Sequence, residues 1–304
     1  MEVHNISVTE DYEEIRIDKY LADFFPNYSR SYIQQLIKDN MIKVNHNNIK
    51  SSYRLSTDDM LEISIPEPKV LEVKPQNLNL DILYEDADII IINKPKGMVV
   101  HPSAGHYENT LVNGLLYHCK DSLSSINGVL RPGIVHRIDM DTTGVLVVCK
   151  NNTSHQFISD QLKVHSITRK YHAIVCHNFS VDSGTIEGAI GRNQNDRKKM
   201  AITPNGKPAI THYTVLDHLN HLYNYIECRL ETGRTHQIRV HMASIHHPLL
   251  GDSVYGSQKN DFKLQGQTLH AKVLGFIHPT TKEYIEFEAP LPEYFQQLLV
   301  KFKN

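Results

Sequence analysis

Short apolar runs separated by polar clusters set the outline of this chain. Residues 89–92 (IIII) and 145–149 (VLVVC) are unbroken and rich in β-branched side chains, which predicts two buried strands. Nearer the N-terminus the spacing is helical. Tyr20, Leu21, Phe24 and Phe25 share one face, with Asp18 placed to cap that helix and Pro26 to end it. A second helix, opened by Ser29 or by Ser31 with Gln34 completing a capping box, carries Tyr32, Ile33, Leu36 and Ile37. The string IKVNHNNIK then reads as a hairpin turning within residues 45–48, and LEISI as a strand closed by Pro66.

Beyond residues 67–79, which hold two prolines and little periodicity and read as a linker, the pattern restarts. A turn through Asn93, Lys94, Pro95 and Gly97 leads to a second apolar piece at residues 98–100, expected as a strand. Lys94 and His101 read as turn and surface residues. Asn109 or Thr110 caps a helix carrying Leu111, Val112, Leu115 and Leu116. Residues 151–176 read as a helix followed by a strand, and residues 184–211 as an exposed hairpin arm. A later strand ends at the Thr232-Gly233 turn. A helix begins near Thr235 with Ile238, Met242 and Ile245 on its core face. FEAPLPEYFQQLL closes the chain as strand and helix edges.

Length and charge sharpen this outline. The 304 residues suffice for two domains, divided here as 1–66, a linker 67–79, and 80–304. The net charge is only −2, so a nucleic-acid surface has to be local. Residues 15–54 carry seven Lys or Arg against three Asp, and residues 192–207 carry five against one. Arg30, Lys43, Lys50 and Arg54 are the phosphate-contact candidates of the first segment. The four cysteines form no CxxC pair, which suits reduced core thiols and a cytoplasmic protein. No signal-peptide core and no membrane-length apolar run occur.

Candidate chemistry concentrates in HRIDMDTTG, a polar knot just ahead of the 145–149 strand. It delivers His136, Arg137, Asp139 and Asp141 to the sheet. Asp141, directly before the Thr-Thr-Gly turn, fits a turn cap. The string GIVHRIDMDTTGVLVV resembles the HR-L-D-x-x-T-S/T-G signature of the RluA/RluD type of pseudouridine synthase, with Ile138 for the usual Leu and Thr143 for the frequent Ser. The resemblance implies that Asp139 is the catalytic residue. Three further strings are similar to the same family: NKPKGMVVHP, ITRKYHAIV, and GRTHQIRVH with HPLLGDSVYG. They imply Tyr171 as an active-site aromatic and Arg239 as the partner of Asp139. The residues also call for that partner, because a cation near a helix core face needs a carboxylate. Residues 15–54 resemble the small RNA-binding domain named after ribosomal protein S-four.

The implied fold is α+β: a large mixed, mainly antiparallel sheet with flanking helices and loops, plus the small N-terminal domain. The implied reaction breaks the N1–C1′ bond of uridine, turns the base and joins C5 to C1′. It needs neither cofactor nor metal. His236, His241, His246 and His247 make no HExxH zinc motif. A carboxylate can stabilise oxocarbenium-like charge at C1′, as in glycosidases. Arg137 is the candidate to fill the space that a flipped uridine leaves. Large-subunit ribosomal RNA is the implied partner, with no membrane and no obligate protein partner. Two other readings stand beside this one: a non-catalytic RNA-binding protein on the same fold, and a hydrolase using Asp139 and Asp141.

Overall fold

The computed structural model describes the chain except residues 1, 26, 27, 29, 66–72, 104, 121, 128–130, 197, 198, 258–261 and 304. Pro26, Ser29, Pro66, Arg197 and Lys198, which entered the sequence reading, therefore lie outside the described residues. The chain divides into two compact units, 1–71 and 72–304.

The first unit contains β1 (Glu2–Ser7), α1 (Ile17–Phe24), α2 (Arg30–Lys38), β2 (Ile42–Val44), β3 (Asn47–Asn48) and β4 (Met60–Ile65). Its four-stranded sheet runs β1-β4-β2-β3. The β2–β3 hairpin turns at Asn45 and His46, both at positive φ (50° and 67°), as a two-residue hairpin turn requires. Ile17, Leu21, Ile33, Leu36 and Ile37 meet Ile42, Leu61 and Ile63 in one core. Two expectations are corrected here. Asp18 does not cap α1, because Arg16 is the N-cap residue. Instead Asp18 is wholly buried and takes hydrogen bonds from Arg16, Arg30 and Gln34. Gln34 is thus drawn to Asp18 across the helix pair. Phe24 is half exposed and leaves the buried face to Ile17, Tyr20 and Leu21. β1 carries no sequence signal, since EVHNIS has too weak an alternation to mark a strand.

The second unit contains β5 (Ile82–Glu85), β6 (Ile89–Lys94), α3 (Leu111–Cys119), β7 (Thr143–Cys149), α4 (Asn152–Lys163), β8 (Thr168–Cys176), β9 (Ser183–Glu187), β10 (Ile190–Arg192), β11 (Met200–Ile202), β12 (Ile210–Leu219), β13 (Tyr223–Leu230), α5 (Gln237–Ser244), β14 (Leu269–Ile277), β15 (Tyr284–Glu288) and α6 (Glu293–Lys303). Nine strands form one sheet in the order β5-β6-β7-β14-β8-β13-β12-β9, with β15 also on β14. Every pairing is antiparallel except β7 with β14. The α+β, mainly antiparallel expectation therefore holds.

At β7 the sheet is buried on both faces, which is why residues 145–149 read as an unbroken apolar run. Alternation along β8 sends Ala173 and Val175 into the main core and Ile174 into a second core under Phe295, Leu298 and Phe302 of α6. Of the two caps the sequence offers, Asn109 and Thr110, it is Thr110 that caps α3, in a capping box with Asn113. Residues 98–100 form no strand; the backbone N–H groups of Leu111 and Val112 bond to the Val99 and Val100 carbonyls, tying this piece to the start of α3. Residues 73–79 are not a free linker. Val73 is buried, Gln76 N–H donates to the Asn113 carbonyl, and Asn113 donates back to the Lys74 carbonyl. The β10–β11 arm is packed at its base, where Ile190 and Ala209 meet Val240 of α5.

Candidate active site

The HRIDMDTTG loop ends where β7 and β14 run side by side. That approach is close: a Cβ on Gly144, whose φ is +108°, would fall 2.1 Å from the Ala271 carbonyl oxygen. Only glycine fits there. The loop is pinned from β6. Lys94 has no exposed surface, and its Nζ donates to the carbonyls of Pro95, Met98 and Met140 at 2.8, 2.9 and 2.9 Å. Three acceptors match the three N–H groups of an ammonium. Burial pushes the Lys94 pKa down to about 7, with Asp141 and Asp139 pulling the other way. The expectation of a turn or surface lysine is corrected by this burial. His101 is likewise buried, at 4% exposure.

Asp139 opens the turn in which Thr142 N–H donates to the Asp139 carbonyl at 3.1 Å, and the carbonyl of the next residue, Met140, is the one that Lys94 pins. Arg239, on the first turn of α5, donates from Nη1 to Asp139 Oδ2 at 2.9 Å. The helix starts at Gln237, two residues later than the pattern suggests. His236 takes a left-handed backbone (φ 57°), and the Gln237 side chain folds back to accept from Thr232 Oγ1 and Arg234 N–H. Arg239 is 6% exposed and has a second partner, Asp252, at 2.7 and 3.0 Å. Burial works against its charge. Asp252 first, then Asp139, more than restore it, so its pKa is raised. The Tyr255 ring covers the guanidinium at 5.1 Å.

Tyr171, on β8, lines the same cleft as Asp139, Arg239, Arg137 and His236. Burial raises its pKa, with Arg169 opposing, so the side chain is a neutral phenol. His236 Nε2 stands 3.8 Å from Asp139 Oδ2, and its Nδ1 is 2.8 Å from the Tyr255 hydroxyl. Burial lowers the His236 pKa, against the pull of Asp139.

Asp141 is not the turn cap the sequence suggests. The turn is closed by backbone, and Asp141 Oδ1 is buried without a hydrogen-bond partner among the described residues. Burial raises its pKa, with Lys96 and Lys94 opposing. Thus Asp139, Tyr171, Arg239 and Arg137 come together at one cleft. The other four candidates lie in the first unit. Arg30 is tied to both oxygens of Asp18. Arg54 donates to the Glu14 carbonyl, Lys43 is half-buried on β2, and Lys50 is exposed.

The sequence reading missed Lys94, His236 and Asp252 as site members. The signal for Asp252 was the demand of buried Arg239 for charge, which one half-buried carboxylate does not meet. The four histidines do not gather. His241 bonds to Thr211 and the Gly188 carbonyl, His247 stacks on Phe179, and His236 joins Asp139. Among the described residues a three-ligand cluster occurs at Asp86, Asp88 and His278, where His278 already bonds to Asp86 and the Asp88 carboxylate accepts from Asn151, Ser154 and Thr280.

Comparisons with known proteins meet this geometry. The family model described as RNA pseudouridylate synthase matches residues 88–244, and that of the S4 domain matches residues 15–61. The chain is 50% identical over 301 residues to an uncharacterised RNA pseudouridine synthase of Bacillus subtilis (strain 168), covering 99% of this chain and 98% of that protein. It is 42% identical over 319 residues to ribosomal large subunit pseudouridine synthase D of Zymomonas mobilis, covering 100% of each. Among solved structures, human RNA pseudouridylate synthase domain containing 1 superposes with a TM-score of 0.57 at 27% identity, over 78% of this chain and 98% of that one.

Proposed function

This chain belongs to the RNA pseudouridylate synthase family, a family of isomerases, and we propose that it converts uridines of large-subunit ribosomal RNA to pseudouridine with Asp139 as the catalytic carboxylate. The observation that carries the assignment is the Asp139–Arg239 contact of 2.9 Å in a cleft that Tyr171 also lines. Arg239 holds a negative charge where bond breaking at C1′ develops positive charge. Atoms balance without a cofactor: N1 leaves C1′, C5 bonds to C1′, C5 loses its proton and N1 gains one. Tyr171, a neutral phenol, offers the detached uracil a ring face and a hydroxyl.

The uridine has to leave its helix first, at about a few kcal/mol. The Asp139 cleft is about 60 Å³, far below the roughly 300–1,000 Å³ of ordinary ligand pockets. Exposed Arg137 lines this cleft and two neighbouring cavities, so swinging it out joins them. That makes Arg137 the side chain to take the vacated place in the RNA. The first unit supplies affinity, with Lys43, Lys50, Arg30 and Arg54 as its phosphate contacts, Arg30 oriented by Asp18 and Arg54 by the Glu14 carbonyl. The compartment that fits this substrate is the cytoplasm. The test is a map of pseudouridines in ribosomal RNA from cells with and without the gene. At least one uridine of the large-subunit RNA should stay unmodified without it; identical maps would refute the substrate assignment.

A further inference from the structure

Beside the Asp139 cleft lies a second cavity of about 330 Å³, whose lining includes three arginines and, among the described residues, no carboxylate. Arg137, Arg169 and Arg234 face it together with His136 and His165. Arg169 is only 7% exposed. Its Nη2 donates to the Glu231 carbonyl at 2.9 Å, while its Nε is buried with no hydrogen-bond partner among the described residues. Arg234 gives its Nε to the Pro208 carbonyl. These carbonyls orient the guanidiniums without neutralising them. Burial draws the Arg169 pKa below its ordinary value, and the charge of Arg234 adds to this. His136 adds no charge, since burial and Arg169 push its pKa down to about 3 and its Nε2 accepts from Val147 N–H.

A buried arginine without a carboxylate is costly, and the guanidiniums of Arg169 and Arg234 face one space and repel each other. An anion in that space removes both penalties. We propose that this cavity binds a phosphodiester of the RNA strand next to the uridine that enters the Asp139 cleft. The inference rests on the reading of that cleft as the uridine site. The two cavities share Arg137, Tyr171, Leu230 and Arg234, so a nucleotide in one brings its own backbone to the other. A phosphodiester carries one charge on two free oxygens, which suits forked guanidinium donors. Gly233 keeps the space clear, because a Cβ there would stand 2.6 Å from Arg169 Nη1. Such a contact fixes strand register and leaves sequence to be read elsewhere.

The experiment measures affinity of the full-length protein for a large-subunit rRNA transcript across a salt series. Arg169→Gln and Arg234→Gln are each expected to flatten the log–log slope by about 0.7 to 0.9, the value of one lost phosphate contact. Arg169→Lys, which keeps the charge, should retain the slope, and it stands in with Arg234→Gln should Arg169→Gln melt early. The slope needs no turnover, so a failure of the isomerase reading leaves it intact as a test. To fix the position, a short RNA carrying a neutral methylphosphonate on either side of the target uridine is bound to the wild type and to Arg234→Gln. The substitution on one side should weaken the wild type and have little further effect on the variant. Wild-type slopes in folded variants, or equal losses in both proteins on both sides, would overturn the proposal.

Discussion

Arg239 is gripped by Asp252 on two of its nitrogens, Nε at 2.7 Å and Nη2 at 3.0 Å, and offers the third, Nη1, to Asp139. Asp252 is itself fixed, since its Oδ1 also accepts the N–H groups of Val254 and Tyr255 at 2.9 and 3.1 Å. Backbone geometry at residues 252–255 therefore sets the plane of the guanidinium, and that plane sets the proposed catalytic carboxylate.

Asp252→Asn is predicted to act through that plane. An amide keeps the size but offers one acceptor in place of two, so Arg239 tilts. Misplacement of about 1 Å at a reacting group costs about 10²-fold in rate. Steady-state kinetics on an rRNA fragment should show kcat falling by that order with KM within a few-fold. A kcat equal to the wild type would remove Asp252 from the account, and a rise in KM alone would make it an RNA contact.

Lys94→Met is predicted to loosen the loop before it touches chemistry. It strands the Pro95, Met98 and Met140 carbonyls, and each buried acceptor left without a donor costs roughly 1–3 kcal/mol. Thermal melting by circular dichroism should show a clear drop in Tm. Hydrogen exchange should speed up in residues 95–98 and 138–142 ahead of the strands. Unchanged melting and exchange would mean that Lys94 does not hold the loop.

In the first unit, Asp18 makes stability depend on acid. Burial opposes its charge, but bonds from Arg16, Arg30 and Gln34 outweigh it and hold the carboxyl well below the usual range. The folded pKa lies under the unfolded value of about 3.9, so the stabilisation is complete above about pH 4 and drains away as pH falls below it. Hydrogen exchange of residues 17–38, corrected for intrinsic rates, should show loss of protection there in the wild type. Asp18→Asn should be less protected at neutral pH and lose less on acidification. Equal acid sensitivity of the two proteins would assign the effect to another group.

Local sequence was a sound guide wherever one face or one run decided the element. The 145–149 strand, the Thr110 cap and the 3.6-residue stripe of Ile33, Leu36 and Ile37 are of this kind. The Asp139–Arg239 pair spans 100 positions and became legible only because the strings around it resemble a family and because a cation on a core face demands a partner. Contacts of long sequence separation that no periodicity marks stayed hidden. Lys94 reaching the Met140 carbonyl, and Asp18 drawing Arg30 and Gln34 across two helices, are examples. The strand expected at residues 98–100 fell to the same cause: the Val99 and Val100 carbonyls accept from the N–H groups of Leu111 and Val112 at the start of α3 instead of from a sheet neighbour.

The central claim is that Asp139 carries the isomerisation, and one comparison tests it most directly. Wild type and Asp139→Asn are incubated with a large-subunit rRNA transcript, and pseudouridine is quantified by nucleoside mass spectrometry and chromatography alongside RNA affinity. The account predicts pseudouridine from the wild type and none from Asp139→Asn, with affinity changed by no more than a few-fold, because the amide keeps the shape and removes only the charge. Near-wild-type turnover by Asp139→Asn would contradict it.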